Sequence, residues 1–217
     1  MRAALLFVML VFSVTCTLAQ QFPSERFHIG SVTLNDGQEL KGRIKYDLDA
    51  DVILLIETGQ TNVTTLSANQ FQSFHIDGGQ DRGQRRFYSV PVVNQTGYKR
   101  PRIFELIYEG ETSLVAREFI ATRSRTSSRS SFRRSIYDPF YDPTNSMVTF
   151  RYLAYDLWLI DGEANLSKLG DNRNEVIRAF PNHQSELRKF IKGEKLKVDK
   201  LQDLTKLIGY YNQLNNL

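Results

Sequence analysis

Between Phe27 and Ile76 the apolar residues fall into five short blocks, FHIGSVTL, ELKGRIKY, DVILLIE, TNVTTL and FQSFHI, which alternate with polar residues or run unbroken for a few positions. Turn chemistry separates the blocks. Asn35-Asp36-Gly37 supplies residues that accept the positive φ of a tight hairpin, and Gly59 marks the next reversal in the same way. Gly42 stands inside the second block, where a strand would normally carry a side chain; such a glycine marks a bulge or sharp bend that lets a short sheet curl. The LSANQ stretch between the fourth and fifth blocks reads as a single helical turn capped by Ser67. Five strands in about 50 residues predict a meander curling toward a small barrel over residues 20–78, with the first and fifth strands adjoining.

Beyond the glycine-rich break DGGQDRGQ, RFYSVPVV reads as a strand, and Arg102 to Ile120 as two long antiparallel strands turning at Glu109-Gly110-Glu111. MVTFRYLAY and LWLI follow as further strands, and Asp161-Gly162 turns the chain again, so that residues 86–169 form a second antiparallel region. Within it, residues 121–147 are dominated by Ser, Thr, Arg, Pro and aromatics without a hydrophobic period and read as one long loop. From Asp171 the period becomes helical. Val176, Ile177 and Phe180, then Leu187, Phe190 and Ile191, then Leu201, Leu204, Ile208 and Tyr211 recur at spacings of three and four, giving short amphipathic helices over 171–217 that pack on the sheet or on each other. Pro181 ends the first helix and Asp199 caps the last. The fold class is α+β: a β meander or small barrel, extended by further antiparallel strands and closed by a cluster of short helices.

The segment MRAALLFVMLVFSVTCTLAQ places Arg2 before an apolar run and ends it at Thr17-Leu18-Ala19, the pattern of an export signal cut after Ala19. A mature chain of about 198 residues would be free of cysteine, because Cys16 is the only one. Internal disulfides and thiol chemistry are then excluded, and a chain of that length buries enough core to fold without them. The lipid-anchor reading of Cys16 is disfavoured by Thr15 before it. With 41% hydrophobic and 24% charged residues the composition is that of an ordinary globular protein, and the net charge of +4 is too small to argue for nucleic acid. No second apolar run reaches the length of a membrane span.

The set Leu34, Asp36-Gly37, Leu40, Gly42 and Ile44 resembles the start of an Sm-type motif in SH3-like and Sm-like barrels. The residues that would line a nucleotide pocket are not among them, so the resemblance implies architecture alone. The wider succession LNDGQELKGRI, LSANQFQSFHI, YEGETSL, LWLIDGEANLSKL and LIGYYNQL resembles exported envelope proteins of Gram-negative bacteria. That resemblance implies a periplasmic or outer-membrane-peripheral location and no catalytic residues.

The chemistry-bearing residues do not assemble into a familiar motif. His28 and His75 share a Phe-His-Ile context on the first and fifth strands and could sit side by side as a ligand pair, although exposed strand positions are the simpler reading. Asp47, Asp49 and Asp51 alternate as in a calcium loop, but Val52 and Thr58 stand where that loop needs glycine and an acid. No nucleophile elbow or phosphate loop is present, and no metal or cofactor is expected. The one concentration of charge is Arg123, Arg125, Arg129, Arg133 and Arg134, in a stretch without acids, followed by Tyr137, Phe140 and Tyr141. Guanidinium groups suit carboxylate and phosphate, and the aromatics suit sugar rings or a partner's surface. These residues are the candidate ligand-binding set, for an anionic envelope polymer, lipid headgroups or another envelope protein. The expectation is thus an exported, non-enzymatic binding or structural protein. An envelope hydrolase using paired carboxylates is the alternative.

Overall fold

The computed structural model describes residues 22–78, 83–93, 97–126 and 147–216. They form an antiparallel sheet with a helical layer at its C-terminal end, an α+β architecture. The strands are β1 (His28–Leu34), β2 (Glu39–Asp47), β3 (Val52–Glu57), β4 (Thr64–Ser67), β5 (Phe71–Asp77), β6 (Gln84–Val93), β7 (Lys99–Tyr108), β8 (Ser113–Thr126), β9 (Met147–Ile160) and β10 (Leu166–Lys168). Their order across the sheet is β10-β9-β8-β7-β6-β5-β1-β2-β3-β4.

The five N-terminal strands fall where the apolar blocks place them, and β1 lies between β2 and β5. Gly37 and Gly59 take φ of 88° and 83° at the turns after β1 and β3. Gly42 pairs with Gly30 on β1 and with Glu57 on β3 without any slip in register, so it serves a close backbone approach rather than a bulge. A methyl group on Gly42 would overlap the carbonyl oxygen of Ile56, and one on Gly30 would overlap that of His75. Only glycine lets these strands coil so tightly that Val32, Ile44, Tyr46, Ile53, Phe74, Ile76 and Phe87 meet in one core. Phe74 and Phe87 stack at its centre with ring centroids 4.5 Å apart. Ser67 ends β4, and residues 68–70 form a plain turn instead of a helical one: the Ser67 backbone N–H donates to Gln70 Oε1 at 2.8 Å.

The C-terminal helices are α1 (Arg173–Arg178), α2 (Gln184–Gly193) and α3 (Leu201–Asn215). Asn172 caps α1 by accepting from the backbone of Asn174 and Glu175 at 3.1 and 3.0 Å. The last helix starts from Lys200 rather than from Asp199, and no side chain caps it. The apolar stripes pack as expected. Ile177, Leu187, Ile191, Leu204, Ile208 and Tyr211 bury against Leu114 of β8 and Leu159 of β9. Asn212 of α3 then clamps the β7–β8 turn, its amide accepting from Thr112 N–H and donating to Thr112 C=O, both at 2.9 Å.

Two expectations about the second region change. MVTFRYLAY and LWLI are one strand, β9, and β8 runs six residues into the stretch read as loop 121–147, ending at Thr126, while β9 begins at Met147. Thr122 and Arg123, on opposite faces of the strand, are both exposed, so the stretch needs no apolar period, and the β9 ladder holds it extended in place of a core.

Candidate functional site

Strands β8 and β9 pair without interruption from Ser113↔Ile160 to Thr126↔Met147. β7 pairs with β8 only at Leu114, Val115 and Ala116. Beyond Ala116 the hairpin leaves β7 and continues as a two-stranded arm.

Two buried ionic clusters fix the root of that arm. Arg85 of β6 reaches Glu105 of β7 through two hydrogen bonds, Nε at 2.6 Å and Nη2 at 2.7 Å, and its Nη2 also reaches Glu118 of β8 at 2.8 Å. Its Nη1 donates to the Tyr46 hydroxyl at 2.8 Å, and that hydroxyl donates to Glu118. All four groups are buried, so each charge is paired and each acceptor occupied, the condition for tolerating ions in a core. Burial holds the Tyr46 phenol far above its ordinary value, with the charge of Glu118 adding to the effect against the pull of Arg85. Burial alone would weaken the Arg85 charge; hydrogen bonds and charges from Glu105, Tyr46 and Glu118 more than offset it, so the guanidinium stays ionised.

The second cluster is built on Asp51, in the β2–β3 turn at φ 56°. Its carboxylate accepts from Arg117 Nη1 at 2.6 Å, from the Ile103 backbone at 3.0 Å and from Arg102 Nε at 3.1 Å. Arg117 donates as well to the carbonyl of Ile103 at 3.0 Å and to that of Leu48. The turn thus plugs the gap where β7 and β8 part. Two of the three DLDADV acids are accounted for in this way: Asp51 is an ion partner of arginines, and Asp47 Oδ1 accepts from the backbone of Asp49 and Ala50 within the turn.

Opposed residues of an antiparallel pair share a face. The register puts Leu114, Ala116 and Glu118 with Leu159, Leu157 and Tyr155 on the side that carries the helices. Val115, Arg117, Phe119, Ala121 and Arg123 share the other side with Trp158, Asp156, Ala154, Tyr152 and Phe150. Near the root this second face is sealed by Phe104 against Trp158 at 5.8 Å and by Arg117 over Phe104 at 5.5 Å. Further out it opens. Phe119, Tyr152 and Phe150 are 38%, 45% and 53% exposed, and Arg123 stands directly across from Phe150. No ion pair occupies Arg123 among the described residues. The arm's opposite face meets the N-terminal segment, where Arg151 pairs with Glu25 at 2.9 Å and lies over the Phe22 ring.

Of the expected binding set, Arg123 and Arg125 lie on β8, the latter opposite Val148, while Arg129, Arg133, Arg134, Tyr137, Phe140 and Tyr141 lie outside the described residues. The aromatic members Phe119, Phe150 and Tyr152 were not anticipated. The i, i+2 spacing of Phe150 and Tyr152 in VTFRYLAY was the signal that places them on one face.

The two Phe-His-Ile histidines do not meet. His75 is opposite Ser31, whereas His28 lies on the core-facing side of β1, 6.3 Å from the Tyr46 ring. His28 stands three residues from Ser31, the partner of His75, and an odd offset along a strand sets the two histidines on opposite faces. His75 Nδ1 is 3.1 Å from Ser31 Oγ in an open cleft of about 720 Å³ whose other polar lining includes Glu39, Lys41 and Asp77. The Ser31 hydroxyl, then Lys41, hold the Glu39 carboxyl below its usual range, which suits a standing anion and not a proton donor. Glu105 and Glu118, the close carboxylate pair in the core, are both committed to Arg85. No family model, curated protein or solved structure matches the chain.

Proposed function

We propose that this chain is an exported envelope protein that acts by binding rather than by catalysis, and that the β8–β9 arm is its contact surface for an anionic partner. The observation that carries the reading is the open face of the arm, where Phe119, Tyr152 and Phe150 stand exposed on the face that also carries Arg123, directly across from Phe150. An arginine beside aromatic rings is the surface composition of recognition sites, where the rings supply contact area and the guanidinium selects carboxylate or phosphate. In the sequence, the run from Arg123 to Arg134 contains five arginines and no acid. Export, with a mature chain starting near Gln20 in the periplasm or at the outer-membrane periphery, is supported by the Arg2 to Ala19 pattern. The envelope polymer and the lipid headgroup supply the same anionic chemistry.

The test compares the wild type with a variant in which Arg123, Arg125, Arg129, Arg133 and Arg134 become Ser and Phe150 and Tyr152 become Ser. At low salt the wild type is retained on an anionic polysaccharide column or on vesicles containing phosphatidylglycerol, and the variant elutes freely with an unchanged melting temperature. Retention falls on raising the salt to about 0.5 M, because exposed charges are screened within about 10 Å already at 0.1 M. Equal retention of the two proteins would refute the assignment of the arm.

A further inference from the structure

The arm also has an edge. Pro91 of β6 and Pro101 of β7 are direct partners, and neither has an N–H. They therefore form a pair whose main-chain groups point away from each other, and every second residue of β7 shares that outward direction: Pro101, Ile103 and Glu105 face β8. From Pro101 to Glu105 the outward positions of β7 are blunted. Pro101 has nothing to donate, Ile103 N–H is taken by Asp51, Ile103 C=O by Arg117, and Glu105 is paired with Ala116.

Strand β8 has no such protection. Ala116 faces β7, so Ile120, Thr122, Ser124 and Thr126 aim their N–H and C=O groups at the same side, away from β9. Over this stretch β8 contains no proline, and among the described residues it pairs with β9 alone and no backbone bond from another segment blocks it. A straight, unblunted edge of this length is a template for another strand.

A second copy of the chain does not fit it. The two-fold register that uses the whole free stretch, Ile120 against Thr126, sets Arg123 opposite its own copy, and like charges directly across a ladder are destabilising. Arg123, exposed and without an ion pair among the described residues, instead demands an acid on the added strand. We infer that β8 is completed by an extended, acidic segment of a different polypeptide, with Asp or Glu at alternate positions so that one of them faces Arg123. The affinity comes from main-chain hydrogen bonds and the choice of partner from charge. This inference rests on the binding reading of the arm and names its occupant.

The probe is a capped nonapeptide of alternating Thr and Glu, followed by fluorescence anisotropy at low salt. Three outcomes are expected: saturable binding, none for the Thr/Lys counterpart, and loss of binding when alternate peptide nitrogens are methylated. Thr122→Pro removes an outward N–H without touching the β9 ladder and should weaken binding by at least about tenfold, the loss of one to two hydrogen bonds, whereas Thr122→Val should bind as the wild type does. Ser124→Pro repeats the test should the first variant fold poorly. Amide exchange of Ile120, Thr122 and Ser124 should slow on adding the peptide. Binding indifferent to N-methylation, to both prolines and in its exchange pattern would overturn edge pairing, and so would no binding at all. If retention on vesicles or polysaccharide persists in either case, the open face alone is the contact surface. Loss of that retention too would refute the wider reading.

Discussion

Gly42→Ala isolates what the tight coil of the N-terminal strands requires. The added methyl would overlap Ile56 O and lie 2.9 Å from both Ile56 C and Glu57 Cα, all backbone atoms of β3 that cannot rotate aside. To reach an ordinary contact, β3 must move by about 1 Å against Ile53 and Leu55, both wholly buried. Overpacking of this kind costs about 1–3 kcal/mol, and an obstacle made of backbone belongs at the upper end. Replacing glycine in a strand returns about 0.5–1 kcal/mol by stiffening the unfolded chain. The net loss is therefore about 2 kcal/mol. Lys41→Ala, one residue away on the solvent face, should change stability by less than about 0.5 kcal/mol. In urea, with a slope of about 2 kcal/mol per molar, the Gly42→Ala midpoint falls by about 1 M and the Lys41→Ala midpoint hardly moves. Midpoints within about 0.2 M of each other would show that Gly42 occupies ordinary strand space, and the account of the coil would fail.

The two other predictions concern the ionic root of the arm. Arg85→Met leaves Glu105 and Glu118 buried without their cation and should destabilise by about 3–5 kcal/mol in denaturant melts, while Arg85→Met with Glu105→Gln and Glu118→Gln recovers a large part of that loss; equal stability of the single and triple variants would show that the pairing does not matter. Tyr46 has its ionisation raised by burial, so its contribution is complete below the ordinary tyrosine value near pH 10 and declines as pH climbs above it, when the unfolded phenol ionises and the folded one does not; stability curves of wild type and Tyr46→Phe should therefore converge above about pH 10, and parallel curves would contradict the assignment.

Legibility followed the range of the forces. The N-terminal strands were readable because their signals are local: Gly37 and Gly59 hold the positive φ their turns need, and alternation over ELKGRIKYD matches a strand with Ile44 and Tyr46 inward. The helices were readable for the same reason, since Val176, Ile177 and Ile191 bury where the 3.6 period puts them. The ionic clusters were not readable at all. Tyr46, Arg85, Glu105 and Glu118 come from four strands, and Asp51 meets Arg117 across 66 positions, so each pairing depends on strand register that no local pattern carries. Read locally, Asp51 could only look like the third acid of a cation loop.

The arm shows a subtler limit. Low hydrophobicity and many serines argue against a packed core, and that argument is sound for ATRSRT; it does not argue against a strand, because a hairpin can hold such a sequence through its ladder alone. The partner strand supplied the missing information: VTFRYLAY alternates, yet only the register Arg123↔Phe150 and Ala121↔Tyr152 brings its rings onto the arginine-bearing face. The contrast between the two edges follows from the same geometry. β7 carries Pro101 and is capped by Asp51 where it turns away, as a protected edge should, whereas the arm continues past that point with outward amides from Ile120 to Thr126. Among the described residues the chain thus blunts β7 from Pro101 to Glu105 and leaves the neighbouring β8 edge open beside Arg123, whose charge disfavours self-pairing, and it is on this contrast that the proposal of an acidic partner strand rests.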